Sequence, residues 1–315
     1  MKKFLQIDEQ ILFLKTEGKL EIDNQESLKY YLISYGFCDL IENYDCFFKD
    51  LKNENGEYKK GIASSDIIDA FNFDREIAHK ILASILNIER RLCCACATIL
   101  AKTFINNNVK KIIPNFANTN ILIKSEDNFL YVFPKLKGQQ IDDFKKELIQ
   151  YNDKICKNTK EEDVPIWILA RNWSLSIVIK ILANIRMELK AEIIKEYFQM
   201  KMVSKSIIQN FLDVMIVLNN IKFRTYHNNS VLNIDVKQKK DSINQMLNNL
   251  SLRNNKYQAS KSIRLYEIVT IIDYLWHKNT HSLTEQVVGM INELLKRNPK
   301  RVNDWKHLLR YIKFE

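Results

Sequence analysis

Apolar residues recur at helical spacing along most of the chain, which predicts an all-α protein. The segment Asp8 to Lys19, with Ile11, Leu12 and Leu14 and a stop at Gly18, predicts a short amphipathic helix. Asn24 opens a second, with Glu26, Leu28, Tyr31 and Leu32, which Gly36 stops. After a polar turn around Asn53 to Gly61, Ser64 and Ser65 cap a helix over Asp66 to Phe71. The chain then runs almost unbroken from Asp74 to Phe104, and Ile77, Ile81, Leu82, Ile85, Ile88, Leu92, Cys96 and Ile99 form one stripe, predicting the longest core helix. Ile121 to Lys124 and Phe129 to Phe133, separated by Ser125 to Asn128, predict a minor β-hairpin near residues 120–134. Residues 140–158 return to helix, and a charged linker, Lys157 to Asp163, leads to Pro165. Helical spacing resumes at Trp167, continues through Ile185 and Phe198, and starts again at Lys205. Further helices are expected at Ser242 to Leu252, Lys261 to His277, Leu283 to Lys296 and Val302 to Ile312. No repeat of 20 to 50 residues is visible. The expected organisation is a helical domain over residues 1–235 and a basic helical C-terminal extension over 236–315.

One helix end concentrates chemistry. Ser206 to Leu218 carries Ile207, Ile208, Phe211, Leu212, Met215 and Ile216 at helical spacing, so its polar end emerges from a core. There Asn219 to Asn233 gathers cations, amides and His227, the one histidine between His79 and His277. Such a cluster can grip and cut RNA. The competing reading is a histidine and asparagines that close the helix and satisfy its last carbonyls.

Charge sharpens the first reading. Lys+Arg against Asp+Glu is 29 against 29 for residues 1–200 and 19 against 9 for residues 201–315, so the net +10 lies in the C-terminal third. The excess clusters at Lys222/Arg224, Lys237/Lys239/Lys240, Arg253/Lys256/Lys261/Arg264 and Lys296/Arg297/Lys300/Arg301, interleaved with Tyr226, Tyr257, Tyr266 and Trp276. That pattern suits a phosphate backbone with some base stacking; the alternative is a set of solvated helix faces.

Composition narrows the class further. With 46% hydrophobic residues and only 6 Gly and 4 Pro, the chain can bury one large core or two smaller ones, and few breakers favour helices over sheets. No stretch approaches the roughly 18 apolar residues of a membrane span, and Met1 to Glu9 meets acid where a signal peptide is apolar, so a cytoplasmic, membrane-free protein is expected. Cys93, Cys94 and Cys96 lie too close along one helix for a disulfide framework or a zinc site and read as small core residues. Cys38, Cys46 and Cys156 are isolated, which fits a reduced compartment. His277 and His281 have no third ligand beside them, so neither a metal nor another cofactor is expected.

Several segments together resemble the Abi-like family of abortive-infection proteins, of the AbiD/AbiF type. They are Glu9-Gln10-Ile11 with Leu14-Lys15 and Gly18; Leu32 with Tyr35-Gly36-Phe37, Leu40-Ile41 and Tyr44; and Ile62 to Glu89, where Phe73-Asp74-Arg75-Glu76 and Ile88-Glu89 resemble the family's FDR and IE signatures. Pro165 to Leu169 before Ser174-Leu175-Ser176 follows, and Lys222 to Asn233 resembles its Arg-Asn-x-x-Ala-His…Asn signature. The likeness spans roughly residues 8 to 235 and leaves out the last eighty. It implies a HEPN-like helical bundle acting in phage defence or as a toxin, beside a small structured noncoding RNA, as a homodimer or higher homo-oligomer. It also implies metal-independent RNA cleavage by an arginine and a histidine. The chain departs from that pattern at Lys222 and Phe223, while His227 and Asn233 match.

Helix geometry bears on that departure. Lysine keeps the charge but lacks the fork that grips two phosphate oxygens. At about 100° per residue, Lys222 lies some 140° around the helix from His227, whereas Arg224 is its neighbour. The catalytic candidates on this helix are therefore His227, Lys222 and Arg224; Glu89, which resembles the family's acidic residue, joins them by that resemblance, to orient a catalytic side chain or simply to form a salt bridge. The RNA-binding candidates are Arg224, Asn228, Asn233, Lys237, Lys239, Lys240, Arg253, Lys256, Lys261 and Arg264. Asp74 and Arg75 read as a helix-start acid and a structural ion pair, and Trp167 and Trp173 as core. Two outcomes stay open: a metal-independent endoribonuclease, and an RNA-binding scaffold without cleavage. A DNA-binding regulator is a weaker third, for want of a helix-turn-helix.

RNA affinity is expected to fall steeply with salt. Changing Lys237, Lys239 and Lys240 together to Ala will lower the log–log salt slope by about 2 to 3 in a filter-binding series. An unchanged slope would make the basic third merely solubilising.

Overall fold

The computed structural model describes residues 5–50, 56–106, 126–150, 166–227, 229–236, 240–249, 263–276 and 282–297. The protein is all-α. Its helices are α1 Ile7–Thr16, α2 Gln25–Phe37, α3 Asp45–Phe48, α4 Ser64–Asn106, α5 Glu126–Val132, α6 Gln139–Gln150, α7 Ile166–Leu169, α8 Leu175–Asn184, α9 Met187–Phe198, α10 Lys205–Tyr226, α11 Lys240–Asn249, α12 Leu265–Trp276 and α13 Leu283–Arg297. Among the described residues, extended pairing is confined to isolated bridges at Glu21–Ala63, Lys49–Tyr58 and Val236–Ile263. No helix of these residues is long and apolar enough to cross a membrane.

The chain forms two compact units. One comprises residues 1–84, 221–238 and 260–315, the other residues 85–220 and 239–259.

In the first unit, local chemistry sets the helix ends. The Gln6 N–H donates to the Glu9 carboxylate at 2.7 Å, and the Asn24 side chain accepts the Ser27 N–H at 2.9 Å. Gly36 adopts φ 80°, a left-handed conformation that breaks α2 where the sequence predicts its stop, and Cys38–Glu42 follows as a π-helical turn. Two predicted helices prove to be one: Asp66 to Phe71 and Asp74 to Phe104 both lie within α4. It starts at Ser64, where Ala63 N–H donates to Asp66 at 2.7 Å and Ser64 Oγ to Asp23 at 2.6 Å. No breaker stands at Asn72 and Phe73, so the hydrogen-bond ladder continues. Leu28, Leu32, Leu40, Ile41, Tyr44, Ile67, Phe71, Ile77 and Ile81 are buried, with α12 adding Leu265, Ile268, Val269 and Ile272.

In the second unit, α4 from Ile85 onward buries Ile85, Ile88, Leu92, Cys93 and Cys96, beside Val178 and Ile181 of α8, Ile193 and Tyr197 of α9, and Phe211 and Met215 of α10. Cys94 is exposed, which corrects its reading as core: it lies about 100° around the helix from Cys93, off the buried stripe. Trp167 is also exposed, at 46%, and only Trp173 is core.

The expected hairpin is corrected as well. Residues 126–132 are helical, because Phe129 and Val132 of α5 and Phe133 just past its end, at i, i+3 and i+4, fall on one face. The two Phe rings pack together against Phe144 of α6, whereas strand alternation would separate Phe129 from Val132. The first strand, Ile121 to Lys124, lies outside the described residues, as do the helix expected at Val302 to Ile312 and Cys156.

Glu89 belongs to this unit. Its Oε2 accepts the Leu175 N–H at 2.6 Å, satisfying a first-turn donor of α8, whose N-cap is Ser174. Glu89→Ala is expected to lower stability in urea by about 1 to 2 kcal/mol. Glu89→Gln will recover part of that loss, because its amide oxygen can accept the same bond.

Candidate functional site

The candidate site lies where α10 ends in the first unit. The core face of this helix, which carries Phe211, Met215 and Leu218, continues through Ile221 and Thr225, both buried. Other positions at this end face outward: Phe223 is 63% and Tyr226 73% exposed, and His227 is exposed. The His227 ring lies 4.2 Å from that of Phe223, tilted by 50°, and 5.4 Å from that of Tyr226, nearly perpendicular. The helix-closing role is filled by backbone: the His227 N–H donates to Phe223 O at 3.1 Å and the Asn229 N–H to Arg224 O at 3.0 Å. The imidazole is thus left in an exposed aromatic cluster and is not used as a cap.

The loop behind it is held by a buried carboxylate. Asp74, with no solvent exposure, accepts the N–H groups of Val231 and Leu232 on Oδ1 at 2.9 and 3.0 Å. On Oδ2 it accepts the Tyr44 hydroxyl at 2.6 Å and the Arg75 guanidinium at 2.8 Å. Arg75 also donates to Asn229 O at 3.0 Å. Asp74 therefore stands in the middle of α4, not at a helix start, and joins that helix to the loop carrying the expected site. Burial first and the Asp74 charge second push the Tyr44 phenol above its ordinary range.

The other expected residues fall in distinct places. Arg224 extends toward the loop, where its guanidinium donates to Ser230 O at 3.4 Å and its buried Nε has no partner among the described residues. Lys222 is half-buried, and its carbonyl accepts the Thr225 hydroxyl at 2.8 Å. Asn233 is built into the fold: its Nδ2 donates to Asn43 O at 3.3 Å, and its Oδ1 lies 3.6 Å from Cys46 Sγ. Arg264 forms an ion pair with Asp235 at 3.4 Å beside the Val236–Ile263 bridge. Lys240 is the first residue of α11. Asn228, Lys237, Lys239, Arg253, Lys256, Lys261, His277 and His281 lie outside the described residues.

A cleft of about 470 Å³ in the same unit is a feature that the hydrophobic pattern conceals. Asp69, Asn72, Arg75, Glu76 and His79 of α4 face Met290, Glu293 and Arg297 of α13 across it. The legible signal was Arg75 and His79 spaced four apart, which puts them on one helix face. Its mixed charges suit a polar ligand, and Arg75 links it to the loop that follows His227.

Fold and site together define an all-α protein with an exposed aromatic–histidine cluster at one helix end. A family model described as Abi-like protein matches residues 30–233, more than half of the chain, and the chain belongs to that family. The match includes Tyr44, Asp74, Arg75, Glu89 and His227 and ends at Asn233. The curated proteins and solved structures compared with it gave no match.

Asp74→Ala is expected to cost about 3 to 5 kcal/mol in chemical denaturation, since it leaves a part-buried arginine, a buried phenol and two buried N–H groups without their carboxylate. The raised Tyr44 pKa contributes stability that is fully present below about pH 10, the ordinary phenol value, and is lost as pH rises beyond it. Tyr44→Phe will therefore flatten the alkaline limb of a stability–pH curve.

Proposed function

We propose that this protein acts in abortive-infection phage defence by binding RNA at the end of α10, and that His227 is the general base of metal-independent RNA cleavage in a HEPN-type site. Family membership supports the defence role. The observation that carries the RNA reading is the exposed cluster of Phe223, Tyr226 and His227 on a helix end fixed by Asp74. Exposed rings beside cations offer a surface on which bases stack while phosphates are held by charge. A small structured noncoding RNA is the proposed partner, and a homodimer or higher homo-oligomer the proposed assembly.

In the reaction, His227 takes the proton of a 2′-hydroxyl as its oxygen bonds to the adjacent phosphorus. A cation, Arg224 or Lys222, balances charge on the phosphorane. The bond to the 5′-oxygen breaks, that oxygen takes up a proton and leaves as a 5′-hydroxyl, and the other product ends in a 2′,3′-cyclic phosphate. A second reading, an RNA-binding protein without cleavage, is favoured by one observation: of the two candidate cations, Arg224 is turned to Ser230 O and Lys222 is half-buried.

His227→Ala is expected to abolish cleavage in EDTA and cell toxicity, with RNA affinity changed less than about threefold, because one imidazole adds little to a multi-contact electrostatic grip. Lys222→Arg will raise the rate where a bidentate phosphate contact is limiting. If wild type and Lys222→Arg both leave RNA intact while His227→Ala still protects cells from phage, the second reading replaces the first.

A further inference from the structure

The turn between α8 and α9 gathers cations that the proposed RNA site does not use. Lys190, in the first turns of α9, is only 5% exposed, and among the described residues no carboxylate pairs with its ammonium. Helical side chains tilt toward the N-terminus of their helix. That is the end where the Met187, Glu188 and Leu189 N–H groups have no intrahelical acceptor and where no side chain caps α9.

A second cation is fixed on the same turn. The Arg186 N–H donates to Val132 O at 3.1 Å, and three residues past Val132 the Lys135 ammonium donates to Ala183 O at 3.2 Å. Arg186 lies 4.4 Å over the Tyr131 ring and reaches Glu188, a carboxylate 76% exposed, at 3.7 Å. Burial first and the Lys135 charge second hold the Lys190 ammonium below the ordinary lysine range.

A buried lysine that serves only the fold is ordinarily matched by an acid. Here the facing charge has the same sign, and unused N–H groups lie at the same helix end. An oxyanion would offset both cations and accept from those N–H groups, as anions do at helix N-termini.

We propose that Lys190, Lys135 and the N-terminus of α9 form a binding site for a phosphoryl oxyanion. The site rests on residues that take no part in the end of α10, and it stands whether or not His227 cleaves RNA. The phosphoryl group can be part of an RNA backbone or of a small phosphorylated molecule.

The test uses the full chain and pyrophosphate as probe, at constant ionic strength set with chloride. Pyrophosphate is expected to raise the melting temperature of the wild type, and Lys190→Met and Lys135→Met will each weaken its affinity about tenfold or more, about 1.4 kcal/mol. Lys135 is exposed, so its variant keeps the test valid if Lys190→Met does not fold. Displacement of a labelled single-stranded RNA by pyrophosphate in the wild type, but not in Lys135→Met, assigns the site to an RNA phosphate. Stabilisation without displacement assigns it to a small phosphorylated ligand. No stabilisation of the wild type, or the same stabilisation in both variants, overturns the proposal.

Discussion

Asp74 is the interaction on which the described site depends. A carboxylate without solvent exposure is costly to bury, and only a full set of donors makes it tolerable. Here a phenol, a guanidinium and two backbone N–H groups converge on it from α4, the turn after α2 and the loop after α10. Because two of those donors are main chain, the carboxylate fixes the path of Val231 and Leu232, both themselves fully buried. Arg75 extends the same hold to Asn229. The exposure of His227 thus follows from a fixed backbone and not from a frayed helix end.

With the loop fixed, helix periodicity decides what α10 displays. Ile221 and Thr225 continue the buried face, so Phe223 and Tyr226 turn outward, and His227 follows one turn after Phe223. Single exposed rings are ordinary on protein surfaces; three in contact at one helix end form a patch with a recognisable use, stacking planar groups. Phe223 stands where the family resemblance leads one to expect asparagine, which exchanges a hydrogen-bonding side chain for a stacking one.

The cations divide by task once the fold is known. Arg75 and Arg264 are committed to carboxylates of their own unit, at Asp74 and Asp235. Lys190 is buried, and among the described residues no carboxylate pairs with it. Net charge counts these alike, although an arginine held in an ion pair offers far less to a phosphate than one facing solvent. A chain-level excess of +10 therefore does not by itself identify contact residues.

The all-α class, most helix spans, the break at Gly36 and the family likeness are legible along the chain, because each depends on local spacing or local backbone preference. The sequence also isolates His227 as the notable residue of its segment. The remaining features depend on contacts distant in sequence. Phe129 to Phe133 read as a strand until the packing of Phe129 and Phe133 against Phe144 made the i, i+3, i+4 face the favourable one. Asp74 read as a helix-start acid because its donors lie some thirty and more than 150 residues away, at Tyr44 and Val231. Glu89 likewise finds its partner at Leu175, a backbone group that no side-chain pattern reveals. Helical spacing makes Arg224 the expected neighbour of His227, yet its guanidinium donates to Ser230 O, a carbonyl brought within reach only when the loop folds back. Periodicity tells which face of an element is apolar; where its polar groups find partners is settled when the elements meet.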